Sequence, residues 1–552
     1  MEAKQMHSSK SLEFRSRRSV VHSTKGIVCS SQTQASAAGV KILEKGGNCV
    51  DACVAAAAAL TVLEPHMTGI GGDMFALFYD NSSKSVHGIN GSGRSPAGLT
   101  YELAKSVSDT PRLKAESIHA VTVPGAFAGW VDSIEKWGSG LPLEDILAPA
   151  IDMAENGWLV GEITADLWKK GMASIQRWPS NGTSLFTENG QAPKMGEFFT
   201  NKELANTFRV LAKGGKQAFY DGPVGDKILE DLQKRGSSMV KQDLLNHKSV
   251  FVDPISLQYN DLKVWEIPPN GQGLVALQVL GMFKHTDCET AEHNSVEYLH
   301  AVIELLKLAF NDASRHIADP DHMTVSAEDL LSDAYLKSRA SVFSKDHATH
   351  ELLKDSMYDS DTVYLTATDK DGNACSFINS VYQLFGSGIV PEGLGFALHN
   401  RGANFSLSER SANAVGPSKR PYHTIIPAMV TKTNGDLYCT YGVMGAFMQP
   451  QGHVQVFLNM HKFGMSVQEA LDAPRVCVSP SVDGSTEAII QIEEGIPTDV
   501  IEGLKAKGHK IEIVCGTERA LFGRGQIIKA EEGTRYSGGS DPRGDGSAIP
   551  QV

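Results

Sequence analysis

At 552 residues, 41% hydrophobic and 21% charged, the chain has the composition of a globular protein long enough to bury a large core. Its net charge of −13 argues against nucleic acid or an anionic membrane as partner, because phosphate binding needs a basic face. The eight cysteines are scattered and the eighteen histidines form no HExxH pair, so neither a metal nor a cofactor is expected.

Residues 1–25 are polar and basic without an apolar run, which predicts a disordered tail rather than a secretory signal or membrane anchor. The longest apolar run, Ala52 to Leu63, is too short to span a bilayer, so a cytoplasmic protein with reduced thiols is expected. Ser31 to Glu64 reads as two helices punctuated by Gly46-Gly47, with Asn48 or Asp51 as N-cap and Pro65 as stop. The second, VDACVAAAAALTVLE, is apolar nearly all round and should be buried on most sides. Within it Cys49 and Cys53 read as small buried residues. The glycine-dense turn Thr68 to Asp73 then leads into an apolar strand, MFALFYD.

A further helix is predicted over Ser295 to Ser314, where Val296, Leu299, Ile303, Leu306 and Phe310 recur on one face. Residues 320–361, rich in Asp, Ser, Lys and His, read as an exposed connection that tolerates cleavage. The texture changes after it. VYLTAT, the turn DKDGN and ACSFINSVY form a hairpin, and strands follow at TIIPAMV, LYCTYGVM, EAIIQIE, HKIEIV and GQIIKA, with one helix near Ser466 to Leu471. Helix-rich first and strand-rich second, without repeats, predicts an α/β (α+β) layered protein.

Thr362 heads that hairpin directly after the polar connection; taken alone, such a threonine is an ordinary β-former. Its context is more specific. Upstream stand GGNCVDACVAAAAALTVLEPHMTGIGGD, INGSGRSPA and VTVPGAFAGW; downstream stand NAVGPSKRPYHTIIPAMV, the turn Tyr441 to Ala446, and Ser540-Asp541-Pro542-Arg543-Gly544-Asp545-Gly546. In this collinear order, from about residue 25 to 548, the chain resembles the γ-glutamyltransferase (glutathione hydrolase) family of N-terminal-nucleophile (Ntn) hydrolases.

The resemblance implies a four-layer αββα sandwich, made as one proenzyme that cuts itself between Asp361 and Thr362. Residues 26–361 would form the large fragment and 362–552 the small one, paired as a heterodimer acting on a small amide or peptide. A hydroxyl is a poor nucleophile without a base. Cleavage would give Thr362 an α-amine of pKa about 8, so one residue supplies both nucleophile and base. By position, Ser380 stands where the family has a hydroxyl on that amine, and Gly445 and Ala446 where a glycine pair supplies backbone donors to the oxyanion. Backbone amides do not depend on the side chain, so Ala446 is expected to serve if its φ is negative. His423 and Thr424 stand where two pocket serines are usual.

The departures lie in substrate binding. The usual carboxylate-binding arginine position is Ser92, with Arg94 two residues on. Asn404 replaces the acid that takes the substrate ammonium, Arg401 adds charge nearby, and the Pro-Pro-Ser-Ser-Gly motif reads Pro268-Pro269-Asn270-Gly271-Gln272. Losing a carboxylate and gaining a guanidinium disfavours a zwitterionic head and favours an anionic one. The leading reading is an amide hydrolase or acyltransferase for γ-glutamyl amides such as glutathione. The alternatives are an amidohydrolase for small anionic amides such as oxamate and, from another class, an unprocessed binding protein.

Overall fold

The computed structural model describes residues 18–178, 182–349, 361–480, 488–533 and 535–552. Within them the hairpin forms as its alternation and turn demand: Asp361–Thr368 pairs antiparallel with Ala374–Tyr382, and Asp369 closes the turn by accepting from the N–H groups of Asp371 and Asn373. This hairpin is the centre of a seven-stranded sheet ordered Ser547–Pro550, Ile27–Ser30, Asp361–Thr368, Ala374–Tyr382, Asp73–Asp80, Ser85–Gly91, Val250–Val252. A second seven-stranded sheet runs Val21–Ser23, Tyr536–Ser540, Arg524–Ala530, Leu437–Met444, Ala428–Lys432, Leu262–Glu266, Ile255–Tyr259. Both sheets draw strands from each side of the Asp361–Thr362 bond.

The outer face of the first sheet is covered by Thr33–Glu44, Cys49–Leu63 and Ala126–Trp137, and that of the second by Gly273–Phe283 and Met448–His461, with Val296–His316 packed behind. The result is the four-layer αββα sandwich. Every residue of Cys49–Leu63 is buried, as its all-round apolar surface requires, and Asn48 with Asp51 closes a capping box at its start. No helix among the described residues is long and apolar enough to cross a membrane.

Three expectations are corrected. The tail does not extend to residue 25: Val21–Ser23 adds an edge strand to Tyr536–Ser540, and Arg18 hydrogen-bonds the Gly544 carbonyl at 2.6 Å. Residues 320–349 are not featureless, because Ala327–Leu330 and Asp333–Ala340 are helical and bury Leu330 and Leu336; residues 350–360 of that connection lie outside the described residues. The buried helix Met448–His461 escapes the apolar periodicity because it carries Gln449, Gln451, His453 and Gln455 inward, each hydrogen-bonded.

Candidate active site

The pleat decides where Thr362 points. Alternate residues of Asp361–Thr368 face the second sheet: the Thr366 hydroxyl meets that of Thr440 at 2.9 Å, and the Tyr364 ring fills the space a Cβ on Gly442 would need. Thr362 stands two residues before Tyr364 on this strand, and Gly445 and Ala446 follow the end of Leu437–Met444, the strand that this face meets. The ladder is irregular there, with a register shift between Asp361 and Val363.

Thr362 is buried and donates its hydroxyl to Ser380 Oγ at 3.1 Å. Ser380 Oγ also accepts from the Tyr382 N–H at 2.8 Å and from Arg401 Nη2 at 3.1 Å. The glycine turn presses against the same point, since a Cβ on Gly72 would stand 2.1 Å from the Ser380 carbonyl oxygen. Arg401 is fully buried, stacks over Tyr382 at 4.2 Å, and gives Nη1 to Thr424 Oγ1 at 2.6 Å. Its hydrogen-bond partners are hydroxyls, not carboxylates. Burial lowers its pKa to about 10, so the guanidinium stays charged at neutral pH.

Asn404 joins the cluster with both ends of its amide engaged, accepting from the Tyr382 hydroxyl at 2.5 Å and donating to the Tyr422 carbonyl at 3.0 Å. Gly445 adopts φ 131° and leads into Met448–His461, which places the turn at the positive end of a helix. Ala446 has φ 49°, the left-handed region, so the negative φ on which its tolerance in place of glycine was conditional is not found. Its carbonyl, held by the Gln272 side chain at 2.8 Å, ties the turn in that conformation.

Two residues assigned to the pocket are engaged elsewhere. Arg94 pairs with Asp319 at 2.8 Å and reaches the Ser418 carbonyl, so its charge is compensated away from Thr362. His423 has both ring nitrogens occupied: Nδ1 accepts from the Ile425 N–H at 3.3 Å, which leaves Nε2–H to donate to Asp73 at 3.0 Å. Burial and the Arg401 charge lower its pKa to about 3, so the ring is neutral and supports the loop that carries Thr424. Burial alone would raise the Asp73 carboxyl, but His399 and His423 outweigh it and hold it far below the usual carboxylate range. His399, 3.3 Å from Asp73, was not signalled by any motif, and Gln272 was visible only as a departure inside one.

His300, Glu304 and His509 bring ligand atoms within 4.8 Å of one another. They do not suit a metal, because the Lys307 ammonium already pairs with Glu304 and the two imidazoles hydrogen-bond each other at 2.7 Å.

The sequence model of the family described as gamma-glutamyltranspeptidase matches residues 35–551. The chain belongs to that family. It is 38% identical to the glutathione hydrolase-like YwrD proenzyme of Bacillus subtilis over 95% of this chain and 98% of the relative. It is 32% identical to the oxamate amidohydrolase proenzyme of Klebsiella pneumoniae, again over 95% and 98%. The crystal structure of cephalosporin acylase from Bacillus halodurans superposes with a TM-score of 0.88 at 41% identity, covering 97% of each chain. The chain is therefore an enzyme with the Ntn-hydrolase fold, and its relatives are named as proenzymes and hydrolases.

Proposed function

We propose that this enzyme cuts itself before Thr362 and then hydrolyses amides whose acyl group carries a carboxylate, bound by Arg401. The observation that carries this reading is a buried guanidinium that, among the described residues, hydrogen-bonds neutral hydroxyls, one of which also receives the Thr362 hydroxyl. The Asp73 carboxylate favours this charge without hydrogen-bonding it and offsets only part of the cost of burial, so an anionic ligand would supply the direct partner that the site lacks.

In the first step Thr362 Oγ attacks the Asp361 carbonyl, the Asp361–Thr362 amide bond breaks, and water hydrolyses the resulting ester to leave Asp361 with a carboxylate and Thr362 with an amine. In turnover that amine takes the hydroxyl proton as Oγ attacks the substrate carbonyl, and passes it to the departing amine. Gly445 and Ala446 donate their amides to the oxyanion. Water then releases the acyl group from Thr362.

Length follows from geometry. Arg401 Nη2 lies no further from Thr362 Oγ1 than two steps of 3.1 Å. A near-attack contact of about 3 Å and a charged hydrogen bond of about 2.8 Å nearly span that separation, so the spacer between acyl carbon and carboxylate is short. Monoamides of short dicarboxylic acids, oxamate among them, fit; the similarity to the oxamate amidohydrolase proenzyme points the same way. A γ-glutamyl head fits less well, because Asn404 is neutral and Asp73 is engaged by His399, His423 and the Gly93 N–H.

The test is kcat/KM on the processed enzyme for oxamate and succinamate against γ-glutamyl p-nitroanilide. An unpaired ammonium forfeits about 1.5–3 kcal/mol, so the simple carboxylates should win by at least tenfold. A tenfold preference for the γ-glutamyl substrate overturns the reading. A single band on a denaturing gel of purified wild type, with no fragment beginning Thr-Val-Tyr-Leu, would overturn self-cleavage.

A further inference from the structure

Gln272 stands at the N-cap of helix Gly273–Phe283, yet its side chain makes no capping hydrogen bond to that helix. It is fully buried and reaches across two loops. Its Nε2 donates to the Thr424 carbonyl at 2.6 Å and to the Ala446 carbonyl at 2.8 Å, while Oε1 accepts from the Tyr422 hydroxyl at 2.9 Å. Its backbone N–H donates to the His423 carbonyl at 3.1 Å. One amide thus ties the segment Tyr422 to Thr424, which holds Arg401, to the turn Gly445–Ala446.

The turn needs such a tie. An alanine at φ 49° carries strain of about 1–2 kcal/mol from its Cβ, and it keeps that conformation only where its surroundings impose it. Among the described residues no turn or loop hydrogen bond engages the N–H of Gly445 or Ala446, whereas the Ala446 carbonyl accepts from the Gln272 side chain at 2.8 Å and, more weakly, from the Gln449 N–H at 3.3 Å. Fixing that carbonyl fixes the Ala446–Phe447 peptide plane and so the ψ of Ala446, while the plane that carries the Ala446 N–H is held by the Met448 N–H on the Gly445 carbonyl at 2.8 Å; together they set the Ala446 conformation between the two planes.

Resting on the reading of Thr362 as nucleophile, we infer that Gln272 is a positioning residue. It holds the Ala446 turn in its left-handed conformation, so that the Gly445 and Ala446 amides face the developing oxyanion, and it links that turn to the loop under Arg401. The contact is made to a backbone carbonyl and is independent of substrate identity, so its removal should act on the transition state more than on ground-state binding.

The experiment compares wild type, Gln272→Met, Ala446→Gly and the double variant, each isolated as the cleaved two-fragment enzyme. Measured are kcat, KM for succinamate, and inhibition by a boronate analogue of the acyl group, whose tetrahedral oxygen takes the oxyanion position. Gln272→Met should lower kcat about 10- to 100-fold, short of the 10²–10³-fold typical for losing a whole donor, and should weaken boronate binding in parallel, with KM changed less than threefold. In the Ala446→Gly background, where a left-handed φ costs nothing, the loss on adding Gln272→Met should shrink at least threefold. An unchanged kcat, a loss confined to KM, or an equal loss in both backgrounds overturns the inference. If Gln272→Met does not fold, a kcat loss of less than tenfold in Gln272→Glu, which keeps the shape and removes the amide donors, overturns it as well. Failure of the nucleophile reading is separate: it would appear as an uncleaved or inactive wild type, before any variant is compared.

Discussion

Arg543 and Arg401 are both buried, in opposite company. Arg543 lies between Glu493, 2.6 Å from Nη2, and Asp541, 3.0 Å from Nη1, and neighbouring Arg475 reaches the same Asp541 at 2.7 Å. Burial works against the Arg543 charge, but the two carboxylates outweigh it and raise its pKa above the ordinary value. Around Arg401 there are hydroxyls, an aromatic face and one carboxylate, Asp73, that does not hydrogen-bond it, and burial outweighs Tyr382 and Asp73 and lowers its pKa. The His300, Glu304, Lys307 and His509 cluster resembles Arg543 in this respect, its ammonium and carboxylate being matched inside the protein. A buried charge closed by its own chain holds the fold; on the proposed function, the less compensated one beside Thr362 takes its partner from a ligand.

The comparison breaks most completely at Thr362. Thr362→Ala should remain a single chain and lose all measurable turnover, while Thr362→Ser should cleave and keep part of the activity; an active, cleaved Thr362→Ala enzyme would remove the nucleophile from the open site. Next, the two arginines should separate function from stability. Arg401→Met should cost at least about 100-fold in kcat/KM on carboxylate-bearing amides, with a Tm equal to or above wild type. Arg543→Met leaves Asp541 with Arg475 and Glu493 with Arg519 but removes the guanidinium that joins the two carboxylates, and should lower unfolding free energy by about 3 kcal/mol in urea titration. Equal stability losses for both would erase the distinction.

Acid titration gives the smallest and finest test. Burial alone would raise the Asp541 pKa, but Arg475 and Arg543 lower it from 3.8 to about 2, so its contribution is complete above pH 3.8 and is lost as pH falls through about 2. By linkage it amounts to about 2 kcal/mol. The neutral His423 acts over a higher window. Its pKa falls from 6.5 to about 3, so the unfolded chain takes up a proton first and stability declines as pH drops from 6.5 toward 3. Urea midpoints between pH 7 and 3 should show that slope in wild type and a flatter one in His423→Gln.

Much of the frame was legible in the residues. Alternation and turn chemistry placed the Thr362 hairpin, an apolar run between a cap and a proline placed Cys49–Leu63, apolar periodicity placed Val296–His316, and six ordered motifs carried the family and hence the layers. Those signals are local, set by side-chain period and backbone preference within some twenty residues. Charge compensation is not local. Whether Arg94 is free depends on Asp319, 225 positions away, and whether His423 faces a substrate depends on Asp73, 350 positions away. The Ala446 carbonyl likewise finds Gln272, 174 positions away, and the burial of Met448–His461 rests on partners for its glutamines. Residue identity and side-chain alternation fix which groups are present and which strand carries Thr362. Only the tertiary structure decided which charges are already matched, because electrostatic and hydrogen-bond satisfaction depends on distances in space that no run of residues encodes.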